Sequence, residues 1–372
     1  MIKFISKKGL INFSVLFYFT TLLMSNQFDC YFLHVLFYFS LVLCGLAGLF
    51  VNNCTLSKKK TIIILLITLT GGVNHFIIGM TSIKNIIFLI LFFLTSNSLT
   101  NDALNEKTVL IAVWLNIFVV MYRFFTVGFW GNIYTNSSSN FVSVYLMYPT
   151  VIYYSIIAKK CKKFNIFPAL MVWILSLLSR GRGGIISTTI LIVLLYFIRY
   201  RTLHIKTRLA ITTISIIAIS IAMFNFEFII NKLNTSIIME YFISRGGLKS
   251  SRIRFWSEYI TQAVLNIKYF LFGVDASNIE IGLIFDFNPH NSFIEIHMCN
   301  GIFTLILVLV TLLKNGIIGI KKQNYLFFAC MVSIMIRAFT DHVLWLAYGT
   351  PILFYFMFYY DNIPINSNIH YT

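Results

Sequence analysis

Charged residues make up only 11% of the 372 in this chain, with Asp and Glu together numbering 12. An ordinary soluble domain carries about 25%, so the shortage excludes a surface solvated by water on all sides. Proline is rare, at 5, which leaves long helical runs uninterrupted. Cys30, Cys44, Cys54, Cys161, Cys299 and Cys330 stand singly, with no CxxC spacing. That excludes the signature of a thiolate metal site and of a disulfide framework, and leaves them as small apolar packing residues. No cluster of Asp, Glu and His has metal-ligand spacing either, so neither a metal nor a cofactor is expected.

What is present is apolar: 58% of residues are hydrophobic. A bilayer core of about 30 Å is crossed by about 20 mostly apolar residues in a helix. Runs of nearly that length occur at 9–24, 30–51, 61–79, 83–99, 108–127, 141–158, 164–179, 185–198, 209–226, 291–313, 324–339 and 343–360. The expectation is an all-α polytopic membrane protein with about twelve transmembrane helices. Its organisation divides into helices 1–9 over residues 1–226, one large outer loop over 227–290, and helices 10–12 over 291–372. The first run has a Lys-rich front but no clear cleavage site and is followed at once by another span, so it is expected to be retained. Positive charge gathers in alternate loops, at Lys3, Lys7, Lys8, Lys58–Lys60, Lys159–Lys163 and Arg199–Arg208. By the positive-inside rule this puts both termini in the cytoplasm. The net charge of +17 is mostly this topological signal, and no nucleic-acid-binding module accompanies it.

Arginine on the outer side then needs a cause other than topology. In "LLSRGRGGIIS", Arg180 and Arg182 flank a Gly-rich turn at the start of a helix. Glycines there would let a ligand approach the backbone, and free helix N-terminal amides favour an anion. Snorkelling of the two guanidiniums to lipid head groups is the alternative. In the loop, 251–268 has helical three-and-four spacing at Trp256, Tyr259, Ile260, Ala263, Val264 and Ile267, an amphipathic helix suited to the membrane surface. Arg252 shares a face with Trp256, whereas Arg254 points elsewhere and can pair with Glu258 four residues on.

"FNPHNSFIEIHMCNGIF" follows the loop. Pro289 fixes the chain and Asn291 is a good cap, so His290 is delivered to the outer mouth of the tenth span. A histidine there is suited to general-base work near neutral pH, or to a simple hydrogen bond with a loop. His297, seven residues on, falls on nearly the same face and is expected to pack against a neighbouring helix.

An "SRG" turn ending a membrane helix, a large outer loop with "RIRFW" and "YFLFGVDASN", and then "HNSFIEIHMCNGIFTLIL" resemble, in that order, the O-antigen polymerase (Wzy-type) and O-antigen ligase superfamily. The likeness covers roughly residues 173–313. Departures are Asp275 where a second glycine is usual after "FGV", no proline around Tyr269, and a single glycine in "CNGIF". The resemblance implies a C-type glycosyltransferase in the bacterial inner membrane with its active site on the periplasmic face. It implies His290 as catalytic base and Arg180 and Arg252 as diphosphate ligands; beside them Arg182 and Arg254 are further candidate diphosphate ligands, and Asn291, Trp256 and His297 are candidate supports. The implied partners are an undecaprenyl-diphosphate-linked oligosaccharide, membrane lipids and a chain-length regulator protein. Three activities stay open: a polymerase of repeat units, a ligase to lipid A core, and a transporter of lipid-linked sugars.

Overall fold

A computed structural model describes residues 6–28, 30–53, 55–128, 139–209, 212–213, 251–279 and 288–362. Every regular element among them is helical. The α-helices are α1 (Lys7–Gln27), α2 (Tyr31–Val51), α3 (Lys58–Ile77), α4 (Ile83–Leu99), α5 (Glu106–Val127), α6 (Val142–Lys159), α7 (Phe167–Leu178) and α8 (Arg182–Thr202). Within the loop come α9 (Ser251–Leu265) and α10 (Ile267–Phe272), and after it α11 (Ser292–Lys321), α12 (Tyr325–Thr340) and α13 (Thr350–Phe358). Among the described residues, 6 helices are long and apolar enough to cross a membrane: α1, α2, α3, α5, α8 and α11. Most of the expected span at 209–226 lies outside the described residues.

Local sequence sets the helix starts. Side chains of Ser6, Ser57, Ser82, Asn105, Asn291 and Asn324 accept hydrogen bonds from backbone amides one turn in, satisfying donors a helix leaves orphaned. Outward faces carry large apolar residues such as Leu65, Leu69, Phe76, Phe118, Phe303 and Val310. Buried hydroxyls and small residues bring helices together in their place. Thus Thr95 and Ser98 of α4 donate to the carbonyls of Leu41 and Cys44 on α2, where Gly48 leaves room for Ser98.

Charge separates the two ends of the bundle. At one end Lys59 pairs with Asp361, Lys159 with Asp102, and Lys160 with Glu106. At the other, the carbonyl of Asn140, just before α6, accepts a bond from Arg337. Helix α6 separates these ends, and its 18 residues span about 27 Å at about 1.5 Å each.

Two expectations about helices are corrected. The last span was expected to start at 343, but residues 341–349 are not helical. Instead Ser292 Oγ accepts from the amides of Val343 and Leu344 at 2.9 and 3.0 Å and donates to the Asp341 carbonyl at 3.0 Å. Tyr148 donates to the Val343 carbonyl at 2.5 Å. These side chains replace a helical turn, and α13 begins only at Thr350, with Pro351 in its first turn. Helix α11, expected as one span, is broken at Gly301 (φ 77°). Asn74 donates to the Met298 carbonyl at 2.9 Å and Thr81 donates to that of Cys299. A broken helix is tolerated at membrane depth where such side chains satisfy the freed backbone. The Phe272–Gly273 turn of the loop packs on the break, for a side chain at Gly273 (φ 98°) would strike the carbonyls of His297 and Met298.

The glycines of "RGRGG" also have a different cause from the one expected. A Cβ at Gly183 would strike Thr340 and crowd Arg337, and one at Gly184 would strike Ser143. They admit neighbouring protein instead of a ligand, docking the start of α8 on α6 and α12. Gly184→Val is therefore expected to cost about 1–3 kcal/mol through overpacking. A thermal melt of detergent-solubilised protein checks this; an unchanged midpoint would mean that α8 is not docked there.

Candidate functional site

His290 sits in the turn that leads into α11. Its backbone is left-handed (φ 46°), and Asn288 Oδ1 accepts from its amide at 2.8 Å. Trp256 Nε1 on α9 donates to the neighbouring Pro289 carbonyl at 2.7 Å. Asn291 Oδ1 accepts from the amides of Phe293 and Ile294 at 2.9 and 3.2 Å. Both flanks of the histidine are thus fixed. Left-handed conformations are uncommon for residues other than glycine and gather at functional sites; Arg180 (φ 57°) adopts one too.

The histidine's partner comes from 51 residues away. Nδ1 of His290 is 2.9 Å from Asp341 Oδ1. In the neutral imidazole Nδ1–H donates to the carboxylate. The other carboxylate oxygen, Oδ2, is 3.2 Å from Arg337 Nη2. Arg337 is 1% exposed, and the same Nη2 donates to the Asn140 carbonyl at 3.1 Å. Burial alone would raise the Asp341 carboxyl, but the His290 hydrogen bond and the charges of Arg337 and Arg252 outweigh it and hold the group well below the usual carboxylate range.

Arg252 on α9 is half-buried, and its Nη1 donates to the Thr340 carbonyl at 2.6 Å. Burial lowers its pKa, Asp341 opposes that, and the charges of Arg337 and Arg182 add to the lowering. Arg182, at the start of α8, therefore belongs to the same charge cluster, with Arg180 two residues before it. Two guanidiniums, from Arg252 and Arg337, act on one carboxylate, and the charge of Arg182 reaches Arg252. Arg254 faces away, bonded to Glu258 at 3.0 Å with its side chain 67% exposed.

Helix α9 buries Phe255, Tyr259 and Ala263 and exposes Ile260 and Val264; the helix expected over 251–268 stops at Leu265, and Ile267, also exposed, opens α10. Tyr259 lies 2.6 Å from His297 Nδ1, and His297 Nε2 lies 2.8 Å from the Phe270 carbonyl. A neutral ring that accepts from Tyr259 and donates to Phe270 satisfies both contacts. His297 thereby ties α11 to the loop helices. Glu295 Oε2 is 2.8 Å from His342 Nε2, which also meets the Trp345 carbonyl at 2.9 Å.

Beside the cluster, an apolar groove of about 570 Å³ runs between α11 and α12, from Phe293 and Phe339 to Ile320 and Phe328. Its near end adjoins Trp256, whose ring centre is 5.4 Å from that of Phe339. Thr340, the residue that holds Arg252, follows Phe339 directly.

Asp341 and Arg337 were not expected as site residues. Their signal was an ionisable pair at i and i+4 closing an apolar helix, in "RAFTDH", since ionisable groups at membrane helix ends are commonly functional. No protein-family model, curated protein or solved structure matches the chain.

Proposed function

We propose that this protein is an O-antigen or related surface-polysaccharide polymerase, joining undecaprenyl-diphosphate-linked repeat units at the periplasmic face of the bacterial inner membrane. One observation carries the reading: a His–Asp pair stands among excess guanidinium charge at the head of an apolar groove between membrane helices. The order of motifs in the sequence supports it. The groove takes the isoprenoid chain, and Arg252, Arg182 and Arg180 take the diphosphate. Arginine forks bind phosphate oxygens two at a time and stabilise the charge that the leaving diphosphate gains.

His290 Nε2 removes the proton of the acceptor hydroxyl as that oxygen bonds the donor's anomeric carbon. The bond from that carbon to the diphosphate oxygen breaks, and undecaprenyl diphosphate leaves with the electron pair. Asp341 holds the imidazole by Nδ1–H and stabilises the imidazolium that forms, while Arg337 keeps Asp341 ionised. A ligase would use the same donor site with lipid A core as acceptor.

Exchange of one cation for another tests the diphosphate grip. Arg252→Lys keeps charge but loses the planar fork, so chain growth from lipid-linked repeats should fall at least about tenfold, the loss of one charge-assisted hydrogen bond. Arg254→Lys should stay within about twofold of wild type, since an exposed i,i+4 pair contributes only a few tenths of a kcal/mol. Equal, near-normal rates in both variants would assign these arginines to lipid anchoring.

A further inference from the structure

A second cavity, of about 340 Å³, is lined by α2, the start of α4 and the 341–349 segment. Its walls combine aromatic rings, Tyr38, Phe88 and Tyr348 among them, with three polar side chains, Lys84, Asn85 and His342. The Tyr38 and Phe88 ring centres are 5.6 Å apart and their planes are tilted by 32°. Lys84 Nζ stands 5.8 Å from the Phe88 ring centre. The side chain is exposed, and among the described residues no carboxylate pairs with it.

The volume is near the lower end of the about 300–1,000 Å³ of small-molecule sites, and rings with a few convergent polar groups are their usual lining. It differs in kind from the groove between α11 and α12, whose named walls are wholly apolar apart from one glycine. An apolar chain would leave the exposed Lys84 and the half-buried Asn85 unmatched. A sugar matches them, because its C–H faces lie on aromatic rings while its hydroxyls reach the amide group. An exposed ammonium on the side of the membrane where lysine is scarce selects for negative charge.

Chain connectivity links the cavity to the site. His342 lines it, and the adjacent Asp341 holds His290. Phe141 also lines it, and the adjacent Asn140 accepts from Arg337. The apolar groove and the aromatic cavity are separate, and each has a lining residue next in sequence to a residue of the site: Phe339 beside Thr340, which holds Arg252, and His342 beside Asp341. That is the arrangement two substrates need if a single base serves the bond between them.

We propose that this cavity is the acceptor subsite and that it takes an acidic sugar, with Tyr38 and Phe88 against the ring and Lys84 on the carboxylate. The acceptor role rests on the polymerase reading, whereas binding can be measured without turnover. The test is saturation-transfer NMR on full-length protein in phosphatidylcholine nanodiscs, with methyl glucuronide and methyl glucoside as probes. The glucuronide signal should exceed the glucoside signal about fivefold, the discrimination that one well-placed exposed charge pair supplies. Lys84→Gln should bring the two signals level, and Phe88→Leu should lower both. Equal signals in wild type, or a glucuronide signal that Lys84→Gln leaves unchanged, would overturn the proposal. A protein that binds glucuronide in this way but fails to extend lipid-linked chains would count against the polymerase reading alone.

Discussion

Replacing His290 with alanine is expected to leave the protein inserted and able to bind its donor, while the chemical step slows by roughly 10²–10⁴-fold, as for a typical general base. The side chain is partly open to solvent, with 26% of it exposed, so folding should survive its truncation. In cells, lipopolysaccharide would then carry single repeat units, because a separate ligase still transfers the unpolymerised unit. Bare core with accumulated lipid-linked polymer would point to ligase activity instead. His297→Ala removes a tie between α11 and the loop helices but no proposed chemical group, so the ladder of chain lengths should persist. Electrophoresis of lipopolysaccharide from cells expressing each variant separates these outcomes.

Asp341→Ala should be the most damaging substitution for stability and activity together. It leaves Arg337, 1% exposed, as a buried charge without its carboxylate, and breaking one side of such a pair costs about 3–5 kcal/mol. It also removes the group that orients His290. The two roles can be separated with Asp341→Ala combined with Arg337→Met, which removes the stranded charge. That double variant should recover much of the melting temperature and none of the turnover. Recovered turnover would reduce Asp341 to a structural counter-ion.

The pair's pH dependence has a definite sign. Asp341 has a lowered carboxyl pKa in the folded protein, so its stabilisation is fully present above the ordinary aspartate value of about 3.9 and is lost only as pH falls toward the lowered one. Between pH 7 and pH 5 the wild-type melting temperature should owe no change to this group. A fall that Asp341→Asn abolishes would contradict the pairing.

Much of the local architecture was legible because its causes are local. Asn291 caps α11 by accepting from amides two and three residues on, and Arg254 meets Glu258 at helical spacing. The long-range part was not legible. Asp341 reaches His290 across 51 residues, and only folding brings "RAFTDH" beside "PHNS". The glycines beside Arg182 suggested an open backbone, but their neighbours are Ser143 and Thr340, which no spacing in that turn reveals. Hydropathy likewise ran the last span from residue 343, because it cannot register that a serine hydroxyl on α11 takes two of that segment's amides. On α9, the break at Asn266 that ends the helix expected to run to 268 was not legible either.

The most direct test of the central claim is reconstitution of the purified protein in liposomes with a single kind of undecaprenyl-diphosphate-linked repeat unit and no other protein. Lipid-linked chains of two and more repeats are expected, with one undecaprenyl diphosphate released for each bond formed, and loss of both in His290→Ala. Donor that remains as single units in the presence of wild-type protein, or chains that grow equally well in His290→Ala, would contradict it.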